Sequence, residues 1–169
     1  MIVLGIDPAI RTTGYGVIEL RSANDFSIVD CGIIRNSQKM LHTECLKRLA
    51  GGIRELITAF KPDVASIEDP FVGKNPGTAI ILGMARGAIL AVLAELNVPV
   101  YAYSPRRAKR AVVGNGGASK DQVAAMMAAE FGINLTDIPL DSTDALALAI
   151  CHGQLAIRLE SSMFLGKQI

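Results

Sequence analysis

Four carboxylates stand where acids are expensive. Asp7 closes the apolar run Ile2-Val3-Leu4-Gly5-Ile6, and Glu68 closes a second run, Val64-Ala65-Ser66-Ile67. An ionised group at the end of a buried strand persists when a cation or a metal compensates its lost hydration. Asp141 and Asp144 form a third element, spaced i, i+3 at the start of a helical pattern and so on one helix face. Each acid alone has a plainer explanation. Asp7-Pro8 and Glu68-Asp69-Pro70 could start turns, and Asp141 could cap a helix whose dipole also favours Asp144. Together the four make an oxygen-rich donor set suited to hard Mg²⁺ or Mn²⁺. Two such ions, about 3.5 to 4 Å apart, would neutralise the set and stabilise the attacking and leaving oxygens of a phosphodiester displacement.

A basic segment accompanies the acids. Residues 104–120 carry Arg106, Arg107, Lys109, Arg110 and Lys120 and no acid, although the whole chain has 17 Lys and Arg against 16 Asp and Glu. A solvated helix face is one explanation. The neighbouring Gly114-Asn115-Gly116-Gly117 loop and the capping box Ser119-x-x-Gln122 favour another, in which free backbone N–H groups and Lys120 meet a phosphate. A nucleotide-binding P-loop is rejected, because Ser119 replaces its second Gly and Asp121 its Ser or Thr. Zinc is disfavoured too. His42, Cys45, Cys151 and His152 supply four ligand types, but Cys151 and His152 are adjacent and diverge by about 100° on a helix.

The elements that must position these groups follow from periodicity. Residues 2–7, 14–20 and 26–35 read as an antiparallel meander rich in Ile, Val and Tyr. Leu41, Cys45, Leu49, Ile53, Leu56 and Phe60 mark a helical stripe that stops at Lys61-Pro62. A buried strand at 64–68, a nearly uncharged helix at 76–96 and a strand at 98–103 make a right-handed parallel crossover. Within that helix Gly83 and Gly87 read most simply as packing against the sheet. A short basic helix opens at Ser104, another begins near residue 119, and a last one near Asp141. The expected fold class is α/β, a five-stranded mixed sheet flanked by helices, with residues 1–160 as one domain and 161–169 as a tail without an assigned element.

Composition agrees with that architecture. Of 169 residues, half are hydrophobic and a fifth charged, which excludes a disordered chain. The net charge of +1 excludes a protein that grips nucleic acid anywhere on its surface, so charge placement must matter. The start lacks the basic region of a signal peptide, and the uncharged stretches fall short of the roughly 20 apolar residues of a membrane span. Three separated cysteines suit reduced thiols. These features point to a cytoplasmic chain with no membrane partner.

Gly5-Ile6-Asp7-Pro8, Thr13-Gly14-Tyr15-Gly16-Val17, Ser66-Ile67-Glu68 with Phe71, Tyr101 to Lys109, Val112-Val113-Gly114, Lys120 and Asp141-x-x-Asp144-Ala145-Leu146-Ala147 resemble the RuvC family of Holliday junction resolvases. The match runs along essentially the whole chain, in order. The resemblance implies a ribonuclease H-like fold, a homodimer, Mg²⁺-dependent symmetric nicking of four-way DNA junctions, and work with the RuvA and RuvB branch-migration proteins. It implies that Asp7, Glu68, Asp141 and Asp144 are catalytic metal ligands, with Asp7 bridging two ions and Asp141 the most variable. It supports Lys109 and Lys120 as DNA contacts, and it makes Phe71 similar to a wedge that stacks on unpaired bases. Ala9 departs from the usual Gly, and Asp69-Pro70 stiffens the approach to Phe71. The uncharged helix is the candidate dimer interface.

Two other readings stay open on the residues. The Gly5-Ile6-Asp7 strand and Thr12-Thr13-Gly14 turn also look like the phosphate-binding hairpin of actin-like ATPases and sugar kinases, which use two such domains. A non-catalytic junction-binding protein is the third, though it leaves four acids beside a phosphate-binding surface without a purpose.

Overall fold

The computed structural model describes residues 1–22, 25–69, 75–132, 134, 138–157 and 166–169. Three strands, β1 (Ile2–Asp7), β2 (Thr12–Ser22) and β3 (Asp25–Arg35), form the expected antiparallel meander. After helix α1 (His42–Phe60), strand β4 (Val64–Glu68) returns beside β1 in parallel. Helix α2 (Pro76–Glu95) then leads to β5 (Val100–Tyr103), parallel to β4. Three helices follow, α3 (Pro105–Val113), α4 (Lys120–Phe131) and α5 (Leu140–Ile157).

Among the described residues the sheet has six strands rather than five, with β6 (Lys167–Gln168) completing the order β3-β2-β1-β4-β5-β6. The additional strand lies antiparallel to β5, and Ile169 N–H donates to the Val100 carbonyl at 3.1 Å. It eluded the sequence because two exposed polar residues carry no alternating pattern; main-chain bonding to a free sheet edge puts them there.

Strand alternation sorts the core into two layers. On one face Leu4, Ile6, Val17, Ala65 and Ile67 meet α1 and α2. On the other, Val3, Ile18, Leu20 and Val64 meet α3, α4 and α5. Helix α5 lies very close to the sheet, because β1 and β2 present glycines beneath it. A Cβ on Gly5 would stand 1.9 Å from the Ala145 carbonyl oxygen, and one on Gly14 would stand 1.9 Å from that of Asp141. Only glycine lets the helix start cross there.

Helix α1 buries Cys45, Leu49, Ile53 and Ile57, a stripe at i, i+4, while Leu41 takes the exposed N-cap position instead of joining the core. The helix ends as the sequence indicates, with Lys61 left-handed at φ 47° and its N–H on the Ile57 carbonyl, just before Pro62. Helix α2 corrects two expectations. It is 20 residues long and contains an 18-residue window with a mean hydropathy of 1.9, long and apolar enough to cross a membrane by length and composition, because the helix runs on through Arg86 where the count of uncharged residues stops. Here its inner side, Ala85, Ile89, Val92 and Leu93, is buried in the core. Gly83 and Gly87 do not pack on the sheet; they are exposed on the outer side, with nothing among the described residues within 4 Å of an added Cβ.

Candidate active site

The last parallel pair between β1 and β4 is Ile6 with Ile67, so Asp7 and Glu68 emerge side by side just beyond it. Alternation from Val3 and Gly5 turns Asp7 toward α5, whose first two turns cross the sheet above the glycines. That crossing brings Asp144 over Asp7. Asp141 is not the N-cap: the helix already begins at Leu140, and Ser142 and Thr143 hydroxyls donate to the Pro139 and Leu140 carbonyls, each at 2.7 Å.

The acids feel one another. Burial, then the charge of Asp144, pushes the Asp7 carboxyl up to about 6, against the pull of Lys120 and of its hydrogen bond with Glu68. Glu68 is pushed up to about 7, by burial first and then by Asp7 and Asp144. The two titrate as one unit, and burial with mutual repulsion makes the pair hold a proton toward neutral pH. Asp144 is the deeper of the helix pair, its side chain 13 % exposed against 51 % for Asp141.

Two lysines enter from the other side. Lys120 Nζ lies 3.0 Å from Asp144 Oδ2 and 4.0 Å from Asp141 Oδ1, and Lys109 Nζ lies 3.8 Å from Asp144 Oδ1. The capping box expected at Ser119 and Gln122 is formed and fixes the start of α4, from which Lys120 reaches the acids. The basic segment therefore divides. Lys109 and Lys120 join the carboxylates, Arg107 stacks over the Tyr103 ring at 5.4 Å, and Arg106 and Arg110 are exposed on α3. The glycine loop rests against Arg106, with no room for a Cβ at Gly116.

The donor chemistry fits a hard divalent cation. All four acids offer oxygen, and Asp144 Oδ1 is buried without a hydrogen-bond partner among the described residues. No three His, Cys, Asp or Glu side chains among the described residues already close on one ion position; Lys120 instead neutralises the helix acids. The four zinc-type residues are separated by the sheet. Cys45 lies on the α1 side, 3.2 Å from Arg11 Nη1, whereas Cys151 and His152 lie on α5, His152 Nδ1 bonded to Tyr103 Oη at 2.7 Å.

The turn after Asp7 accommodates Ala9. Its N–H donates to Thr13 Oγ1 at 3.2 Å, and that hydroxyl donates back to the Ala9 carbonyl at 2.6 Å. Ala9 needs no left-handed backbone; among the described residues only Lys61 and Asn97 have positive φ without being glycine. Phe71 and Pro70 lie outside the described residues. One participant was missed in the sequence. Arg86 of α2 donates from Nη1 to the Glu68 carbonyl and, with Asp7, Pro8, Glu68, Asp69 and Leu82, lines a cavity of about 20 Å³. A lone guanidinium within an apolar helix was its available signal.

Comparison with known proteins agrees with the geometry. The family model described as crossover junction endodeoxyribonuclease RuvC matches residues 3–152. A protein of that name from Chlorobaculum parvum is 44% identical over 151 residues, covering 89% of this chain and 80% of the relative. One from Chloroflexus aggregans is 42% identical over 160 residues, covering 95% and 97%. The structure of Thermus thermophilus RuvC in complex with Holliday junction substrate superposes with a TM-score of 0.88 at 31% identity, covering 100% of this chain and 99% of that one. Yeast mitochondrial Holliday junction resolvase Ydc2, at 14% identity and a TM-score of 0.62 over 90% of this chain and 78% of its own, shares the fold. With a matched family model over most of its length, relatives above 40% identity and a common ribonuclease H-like fold, the chain belongs to the RuvC family of crossover junction endodeoxyribonucleases.

Proposed function

We propose that this chain resolves four-way DNA junctions by nicking two strands symmetrically, in recombination and DNA repair. The observation that carries the reading is the meeting of Asp7, Glu68 and Asp144 with Lys109 and Lys120 at the carboxyl ends of β1 and β4. Membership of the family implies a divalent metal. We assign two Mg²⁺ ions per site, replaceable by Mn²⁺, to Asp7, Glu68, Asp141 and Asp144. Bound there, they would supply an activated water and stabilise charge on the departing oxygen.

The chain's own groups do the rest. Asp7 and Glu68 give up their shared proton on loading, so ion affinity falls as pH drops through their raised values. Lys109 and Lys120 set positive charge against the acids, and Arg106, Arg107 and Arg110 on α3 would extend it to a DNA backbone. Phe71, two residues beyond Asp69, would follow the catalytic acid as a stacking wedge. The junction in the Thermus complex supports the same substrate class here.

Symmetric cutting needs two such sites. The outer side of α2 exposes Ile80, Gly83, Met84, Gly87 and Ala91, an apolar stripe at helical spacing whose glycines admit a second backbone. We assign the homodimer to this stripe, and RuvA and RuvB as functional partners by family likeness. Ile80→Glu is expected to convert a dimer to a monomer in analytical ultracentrifugation; an unchanged dimer would move the interface elsewhere. The function itself is tested by incubating a labelled synthetic four-way junction with and without Mg²⁺ and mapping cuts on all four strands. Paired symmetric nicks that require the metal support resolution. Cuts in linear duplex, or none, contradict it.

A further inference from the structure

Arg86 is the single charge inside α2, whose other charge, Glu95, ends the helix. A guanidinium drawn into an apolar helix needs a compensating partner, and this one takes the main-chain carbonyl of Glu68. The register explains why that carbonyl is free to accept. Along β4 the main-chain groups point alternately to the two neighbours. The N–H groups of Ala65 and Asp69 donate to the Pro99 and Tyr103 carbonyls on the β5 side, so Ser66 and Glu68 turn theirs toward β1. The parallel register pairs Gly5 with Ser66 and Ile6 with Ile67. Continued one residue, it sets Glu68 beside Asp7 and its carbonyl opposite the nitrogen of residue 8. Residue 8 is proline, which has no N–H. The ladder thus loses its donor at the residue whose carboxylate must be held.

From this juxtaposition we infer that Arg86 is a positioning residue: it replaces the donor missing at Pro8, fixes the end of β4, and thereby aims the Glu68 carboxylate. Pro8, Arg86 and Glu68 line the same cavity, so the substitution of one donor by another is local. The inference rests on the reading of Glu68 as a metal ligand. It assigns α2 a part in the site as well as in the core.

The test uses the whole 169-residue chain and three readouts: Mn²⁺ affinity of the protein alone by calorimetry, Mg²⁺ dependence of single-turnover junction cleavage, and junction affinity in EDTA. Arg86→Ala should weaken Mn²⁺ binding and raise the half-saturating Mg²⁺ by about 10- to 100-fold, the range seen when a ligand's supporting partner is removed, with junction affinity within about twofold of wild type. Arg86→Lys, which keeps a cationic donor, should recover most of the loss. So should Pro8→Ala combined with Arg86→Ala, because the alanine restores a main-chain N–H facing the Glu68 carbonyl. Wild-type Mn²⁺ affinity in Arg86→Ala overturns the inference. If Arg86→Ala does not fold, the double variant decides: folded and metal-binding, it upholds the donor role; no better than the single variant, it overturns it. A wild-type protein that binds Mn²⁺ yet cuts no junction defeats the resolvase reading alone, and the calorimetric comparison still decides for Arg86.

Discussion

Lys120 answers two demands at once. Its ammonium lies 3.0 Å from Asp144 and 4.0 Å from Asp141, and its place at the first residue of α4 puts it where a phosphate would approach. Replacing it with alanine should lower the slope of log junction affinity against log salt by about 1, the contribution of one phosphate-neutralising cation. An unchanged slope, measured by fluorescence anisotropy across a salt series, would confine Lys120 to pairing with the acids. At this scale the sequence was informative for acids and lysines, since a charge at the end of an apolar run is costly wherever the run goes. It marked Arg86 only as a lone guanidinium in an apolar helix, without its role, which depends on a main-chain donor absent beside a different strand. It also grouped five basic residues that the helix then separates, sending Arg107 to the Tyr103 ring and Lys109 to Asp144.

Among the elements, the approach of α5 to β1 and β2 decides whether a site exists. Gly14→Ala would drive a Cβ to 1.9 Å from the Asp141 main-chain oxygen, and neither backbone can yield cheaply. The expected cost is about 2 to 4 kcal/mol, in the range of overpacked or strained core substitutions, together with displacement of Asp141 and a larger loss of cleavage than of junction binding. Thermal melting and a nicking assay on the same variant check both; wild-type stability would mean that the helix is free to lift. The strands and helices themselves were readable from periodicity, down to the stop at Pro62 and the Ser119 capping box. The edge strand β6 was not, because main-chain pairing to an open edge leaves no mark in side-chain pattern. The outward direction of Gly83 and Gly87 was not legible either, since a helix apolar on every side does not say which side is covered.

For the molecule as a whole, the near-neutral charge of +1 conceals a separation of acids and bases around one site. It also holds two opposed pH responses. His152, 3 % exposed and bonded to Tyr103, is held down to about 4 by burial, against an ordinary 6.5. Unfolding lets it take a proton, so its contribution to stability is complete above about pH 6.5 and is lost as pH falls toward 4, by at most about 3 kcal/mol. Asp7 and Glu68, raised from their ordinary 3.8 and 4.5, act with the reverse sign: their contribution is complete below about pH 4 and is lost as pH rises from there through about 6 and 7. His152→Gln should therefore lose less melting temperature than wild type between pH 7 and pH 4.5. Equal losses would remove His152 from the acid response. The central claim is that the carboxylate centre cuts DNA while the surrounding cations bind it, and Asp7→Asn separates the two. Measured on one labelled four-way junction in Mg²⁺, that variant should bind within about twofold of wild type and nick at least about 10³-fold more slowly, the scale seen when one member of a catalytic set that acts as a unit is removed. Nicking near the wild-type rate would contradict the account.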